Sequence, residues 1–198
     1  MPTKAEITTQ FIIEKVAPVF NRMGYVATSM KDITEATGLT KGAVYGNFEN
    51  KEHLAIEAFN YNIRNVIGKL SQEMDAKNSP SEKLIAVCDF YRGYITTTDL
   101  IGGCPLLNVG VDTNHLNSKL HRRVHLVLKK LQRSLAAVLQ SGIETGEFKE
   151  SIDPEVISLR IISMIEGAVF TATMLSSKEP LNDTMDHIEK MIKTEITN

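Results

Sequence analysis

The side chains with the most reactive potential are His115, His121, His125, Cys104 and Glu166. His121 and His125 are four residues apart, so on a helix they share a face. Such a pair can hold a metal if Cys104 or His115 supplies a third ligand. Cys104 sits in G-G-C-P-L-L-N, where Pro105 suits a first helical position. The thiol therefore falls at a helix N-terminus, which favours thiolate. Glu166 lies in a segment otherwise apolar nearly all round, where an isolated carboxylate is costly. Each also has a simpler reading. The histidines fit the edge of an amphipathic helix, and the thiol fits a small buried residue at a helix junction. Cys88 lies within an apolar stripe and is expected to be inert. No G-x-S-x-G, P-loop, H-E-x-x-H or C-x-x-C accompanies these residues. The expectation is a protein that is not an enzyme and has no cofactor or metal. An all-α metal protein or enzyme is the alternative.

A second chemistry is written in T-S-M-K-D-I-T-E-A-T-G-L-T-K-G-A-V-Y-G-N-F-E-N-K, from Thr28 to Lys51. Thr28 or Ser29 can cap a helix on which Met30, Ile33 and Ala36 share one face. Gly38 can take the positive φ of a helix end. Thr40 then caps a second helix, from Lys41 to about Asn47, with Val44 and Phe48 facing inward. Two helices joined by a short glycine-containing turn form a helix-turn-helix, whose second helix enters the DNA major groove.

The same residues carry a family resemblance. G-Y-x-A-T-S-M-x-D-I-x-x-A-x-G-L-T-K-G-A-V-Y-x-x-F-x-x-K-E-x-L, from Gly24 to Leu54, resembles the DNA-binding domain of the tetracycline-repressor (TetR) family. The match is gapless, and the rest of the chain resembles the family in length and helical layout. The resemblance implies that Lys41, Gly42 and Ala43 face base edges and that Tyr45 meets a phosphate. It implies that Thr28, Thr40 and Lys51 hold the DNA backbone. Asn47 stands where the family usually has histidine, and it completes the candidate DNA-binding set. A dimeric repressor is implied, binding a pseudo-palindromic operator in double-stranded DNA and released by a small-molecule effector. A subset of the family has a loop similar to that around Cys104 and senses oxidants or electrophiles through cysteine, which makes Cys104 an alternative sensor.

These residues must be positioned by helices. Thr3 and Glu6 form a capping box for helix 1, which contains Pro18, a kink-forming residue. Asn50 caps helix 4, which runs to about Asp75. Ser79 and Glu82 form a second capping box, and helix 5 follows with Ile95 in its stripe. T-T-T-D-L-I-G-G is a loop before a short helix 6. Helix 7 runs from about Asn117 to near Gly146, and Asp153-Pro154-Glu155 opens helix 8. Met185, Ile188, Met191, Ile192 and Ile196 mark helix 9. The fold class is all-α, with about nine helices. The expected organisation is a helix-turn-helix domain at 1–50, a connecting helix at 51–78 and a ligand-binding and dimerisation domain at 79–198.

In that last domain Phe90, Tyr91, Tyr94, Cys104, Asn108, His121, Glu166 and Phe170 are candidate ligand contacts, since ligand sites mix aromatic walls with a few polar groups. Ile161, Ile165, Ala168, Ala172, Ile188, Met191 and Ile192 are the expected dimer interface. Lys119, Arg122, Arg123, Lys129, Lys130 and Arg133 gather on one side of helix 7, opposite its apolar face. They read as a solvated surface; in a functional variant they flank the entrance to an anionic ligand's pocket.

The net charge of −2 does not advertise nucleic-acid binding. What phosphate requires is local placement of charge, so a dimer is needed to supply affinity. No signal pattern or membrane-length apolar run is evident, and two cysteines make no disulfide framework. A cytoplasmic protein without a membrane partner is expected.

Overall fold

The computed structural model describes residues 2–94, 102–116 and 118–198. Ile95, the expected loop at 96–101 and Asn117 lie outside the described residues. Nine α-helices are formed among the described residues, and the only pairing of extended backbone there is an isolated bridge between Phe148 and Thr197. They are α1 (Lys4–Met23), α2 (Met30–Thr37), α3 (Lys41–Tyr45), α4 (Lys51–Asp75), α5 (Pro80–Arg92), α6 (Pro105–Thr113), α7 (Lys119–Glu144), α8 (Pro154–Leu175) and α9 (Glu179–Met191). A π-helical turn, Ile192–Ile196, continues α9. The all-α expectation holds.

The helix starts follow local chemistry. Thr3 with Glu6, Ser29 with Asp32, and Ser79 with Glu82 each make a reciprocal capping box. Hydrogen bonds from these caps hold the Glu6, Asp32 and Glu82 carboxyls below their ordinary range. Asn50 accepts from the His53 amide at 2.9 Å, and Asp153 accepts from the amides of Glu155 and Val156. Gly38 ends α2 with φ of 68° in the left-handed region. α1 runs through Pro18, and the buried Asn62 amide donates to the Ala17 carbonyl at 3.0 Å.

The chain divides into two compact units. One comprises Met1–Val66 and Asp99–Leu126; the other comprises Ile67–Thr98 and Val127–Asn198. The cuts fall inside α4 and α7. In the first unit α6 packs on the end of α1. The Asn108 amide donates to the carbonyls of Asn21 and Gly102, and the Val26 amide donates to Asp112 at 3.0 Å. The Glu52 carboxylate accepts from the Lys119 and Leu120 amides, so a residue of α4 caps α7. Ile12, Val16, Ala17, Phe20, Ile33, Val44, Phe48, Leu54 and Ala58 are buried together in this unit.

In the second unit α9 packs on α8 and α5. Arg92 ties α5 to α9 by ion pairs at 2.6 Å to Asp186 and Glu189, which raise its pKa against the opposing effect of burial. In α8 the apolar sequence is interrupted by Arg160 and Glu166. The helix is long and apolar enough to span by length and composition, yet Ile157, Ile161, Ile165, Ala168, Val169 and Ala172 are buried within the chain. After α7 the chain turns at Gly146, and Phe148 is fully buried against Gly142.

A Cβ at Gly142 would overlap the Phe148 ring. Alanine in a helix interior ordinarily stabilises by about 0.5–1 kcal/mol over glycine. Here overpacking reverses the sign, and Gly142→Ala is expected to cost about 1–3 kcal/mol. The urea midpoint of unfolding should fall; a rise would contradict this packing.

Candidate nucleic-acid interface and effector cleft

α3 has only five residues, so its geometry is imposed from outside. The Thr40 hydroxyl accepts from the Ala43 amide at 3.2 Å, and Val44 is fully buried. That anchoring turns Thr40, Lys41, Gly42, Ala43 and Tyr45 to the surface. The Lys41 ammonium lies 5.9 Å from the Tyr45 ring centroid. The exposed group thus combines a cation, a phenol, a hydroxyl and a nearly bare stretch of helix backbone, which suits phosphate and base edges.

Two residues of the expected set point elsewhere. Thr28 is 1% exposed, and its hydroxyl donates to the Gly24 carbonyl. Ser29, not Thr28, caps α2. Thr28 therefore secures the turn before α2 and presents no hydroxyl outward. Asn47 donates to the Ala43 carbonyl at 2.9 Å and accepts from the Thr9 hydroxyl at 2.9 Å, fastening the end of α3 to α1. Its amide acts as a strut. Lys51 is half-buried, with its ammonium 4.6 Å from the Tyr25 ring and 3.5 Å from the Val26 carbonyl. Desolvation lowers its pKa, partly offset by Asp112 and Asp32.

Of the eight candidate ligand contacts, two line a cleft among the described residues. Tyr91 and Glu166 line a cleft in the second unit, with Leu70, Val87, Leu131, Leu135, Ile162 and Ile165. The cleft encloses about 270 Å³ counted to its open mouth, yet its interior has room for little more than a water molecule. Phe90 and Tyr94 stack around Tyr91, with centroids 5.2–5.9 Å apart. Phe170 is 55% exposed on the outer side of α8. Cys104, Asn108 and His121 belong to the first unit. There Asn108 is a backbone clamp, and His121 lies 3.4 Å from the Thr113 hydroxyl. Among the described residues no three His, Cys, Asp or Glu side chains converge as metal ligands.

Cys104 is buried at the start of α6 without a side-chain cap bond. Cys88 is fully buried, and desolvation pushes its thiol up to about 12.

The expected dimer residues are packed within the single chain. Ile161, Ile165, Ala168, Ala172, Ile188, Met191 and Ile192 are all at most 5% exposed within the single chain. They form the packing between α8 and α9, with Ile165 also lining the cleft. The open side of α8 carries Val156, Leu159, Ser163, Gly167, Phe170 and Met174, spaced three or four apart. Helical periodicity gave apolar residues on every side of α8, so it could not separate the inward face from the outward one. The aliphatic cleft liners were missed for the same reason, because nothing in sequence separates them from ordinary core.

Comparison with known proteins places this geometry. Residues 12–58 match the model for bacterial regulatory proteins of the tetR family, and residues 80–188 match the tetracyclin repressor-like C-terminal domain. The chain belongs to the TetR family of transcriptional regulators. A TetR-family regulator from Cytophaga hutchinsonii is 34% identical, with a TM-score of 0.92 over 100% of this chain and 98% of that one. The repressor DhaR from Mycobacterium sp. (strain GP1) is 22% identical over 87% of this chain and 86% of its own length. The FadR regulator of Bacillus subtilis, solved with stearoyl-CoA, shares the fold, with 22% identity and a TM-score of 0.77 over 93% of this chain and 97% of that one. The TetR helix-turn-helix is thus α2 and α3, and the relatives are transcriptional regulators, not enzymes.

The buried thiol has a direct consequence. At pH 8 a pKa of about 12 leaves roughly one Cys88 in ten thousand as thiolate, against about one in four for an ordinary thiol. In a Cys104→Ser variant, native protein should resist Ellman's reagent at pH 8 and react at once in urea. Rapid labelling of the native variant would contradict the burial.

Proposed function

We propose that this TetR-family regulator is a homodimeric repressor whose paired α3 helices read a pseudo-palindromic operator in double-stranded DNA. Binding of a small molecule in the cleft of the second unit releases it. The cytoplasm is the compartment in which such a protein would meet its operator. The observation that carries the DNA reading is Gly42. Apart from its chain neighbours and the backbone of its own helix, nothing lies within 4 Å of the place its Cβ would occupy. The fold itself therefore gives no reason to omit a side chain there, whereas close approach of helix backbone to a groove does.

Dimerisation is supported by the open side of α8. Val156, Leu159, Phe170 and Met174 are 43–67% exposed in a continuous helical stripe, with Gly167 at its middle. A stripe of this kind marks an interaction surface, and a two-fold partner presents the same stripe to it. Two copies would double the cations offered to DNA, offsetting the chain's near-neutral charge. The cleft is the effector site of this reading. The stearoyl-CoA bound by the FadR relative supports an effector with a substantial apolar part.

Release follows from a difference in effector affinity between two arrangements of the chain. The cleft is nearly closed in this structure, so an effector must displace its side chains. α4 and α7 supply residues to both units, which makes them the elements able to carry that displacement.

Selection of bound duplexes from random DNA should enrich an inverted repeat. Lys41→Ala or Tyr45→Ala should lower affinity for that repeat about tenfold or more. Absence of any enriched motif at low salt would sink the operator reading. Gly42→Ala separates fold from function: it should leave stability unchanged or raise it by up to about 1 kcal/mol while weakening DNA binding. For the dimer, Phe170→Glu should shift sedimentation from dimer to monomer with helicity preserved. A variant that stays dimeric would place the interface elsewhere.

A further inference from the structure

α6 grips the helix-turn-helix head at two places. Toward its start the Asn21 side-chain amide donates to the Gly103 carbonyl at 3.1 Å, and the Asn108 amide donates to the carbonyls of Asn21 and Gly102. At its end Asp112 accepts from the Val26 amide at 3.0 Å, across 86 residues of chain. The carboxylate lies so close to the turn before α2 that a Cβ at Gly24 would meet it at 3.1 Å. Lys51 of α4 holds the other side of the same residue. Its ammonium is 3.5 Å from the Val26 carbonyl and 4.6 Å from the Tyr25 ring. Burial lowers the Lys51 pKa, while Asp112, and then Asp32, favour its charged form. An acid from outside the motif thus acts on a cation within it.

The position matters because Lys51 continues the exposed side of α3. Lys41 lies over the Tyr45 ring, and Lys51 lies over the Tyr25 ring. The two rings are neighbours: burial raises the Tyr25 pKa, and the charges of Glu52 and Tyr45 add to the rise. The row therefore runs cation, phenol, phenol, cation. A backbone N–H beside an ammonium is a pair that a DNA phosphate takes. Here that pair, the Val26 amide and Lys51, meets the Asp112 carboxylate. We propose that Asp112 is an internal anion standing where a phosphate would, so that the arrangement seen here binds DNA more weakly than one in which Asp112 has left the turn. A carboxylate and a phosphate at one amide and one ammonium repel each other. Any shift of the end of α6 then changes the charge that the head presents to DNA. The proposal rests on the head being the DNA-binding surface; it needs neither a symmetric operator nor an effector in the cleft. A cap on the turn alone would require an acceptor oxygen, whereas restraint of DNA binding requires the charge.

The test is fluorescence anisotropy of the full-length protein on a labelled duplex of mixed sequence spanning about three helical turns, over a series of salt concentrations. Phosphate contacts are independent of sequence, so the duplex need not be the operator. Asp112→Asn keeps an oxygen for the Val26 amide and removes the charge. It should bind about threefold tighter or more, with the slope of log K against log salt steeper by about one per protomer. Its thermal midpoint should change little. In a Lys51→Ala background the same substitution should bring no gain. Glu150→Gln, which removes an exposed acid of the other unit, should leave binding as it is. Unchanged or lower affinity in folded Asp112→Asn makes Asp112 a turn cap only and overturns the proposal. A gain that survives Lys51→Ala, or that Glu150→Gln reproduces, reports net charge and overturns it as well. Should Asp112→Asn not fold, Asp112→Ser carries the same expectation, and failure of both to fold makes the carboxylate a structural requirement and nothing more. No binding of the duplex by the unaltered protein at low salt removes the head as the DNA surface together with the proposal; binding that Asp112→Asn leaves unchanged removes the proposal alone.

Discussion

A helix of five residues cannot hold itself together, and the DNA-facing segment of this protein is such a helix. What fixes α3 comes from residues flanking it and from the packing around it. Thr40 satisfies one of its amides, Asn47 ties its end to α1 through Thr9, and Val44 and Phe48 are sunk between the helices of the head. Burying two such side chains contributes about 1.5–3 kcal/mol each, against the cost of ordering a short helix. The balance leaves one side of α3 wholly committed inward. Lys41, Gly42, Ala43 and Tyr45 are exposed because Val44 is not.

That division explains how far the residues alone could be read. The capping boxes at Thr3 and Ser79, the turn at Gly38 and the start at Asp153 are local, so their chemistry is complete within a few residues of sequence. The inward positions of Val44 and Phe48 follow from helical spacing. Thr28 and Asn47 went the other way because their partners are tertiary or require a specific turn. Thr28 could cap or point outward until the Gly24 carbonyl claimed its hydroxyl. Asn47 gave no sign of Thr9, which lies far away in the chain. A motif specifies which positions are available for DNA, while packing decides which of them are used internally.

α8 shows the same limit in a stronger form. Its apolar residues surround the helix, so periodicity assigns no side. The structure spends one side on α9 and the cleft and leaves the other open, with Ile165 and Phe170 separated by little in sequence and wholly in environment. The residues first expected at a partner surface are buried within the single chain, and the exposed stripe runs through Val156, Leu159, Phe170 and Met174. Glu166 fits this arrangement as a boundary residue on the cleft wall, which accounts for a carboxylate in so apolar a helix. The TetR-family assignment supplies the activity, and the division of α8 between inner and outer sides supplies the places where an effector and a second copy could act.

The dependence of α3 on its surroundings is measured most directly by native-state hydrogen exchange. The Val44 and Gly46 amides, bonded to the Thr40 and Gly42 carbonyls, should exchange only when the head opens as a whole. Their opening free energy should then match that of the central amides of α1, and Asn47→Ala should lower it while leaving α1 protected. If α3 exchanges as unprotected chain while α1 remains protected in the unaltered protein, the helix is not held by the packing described, and the account of its exposed side fails.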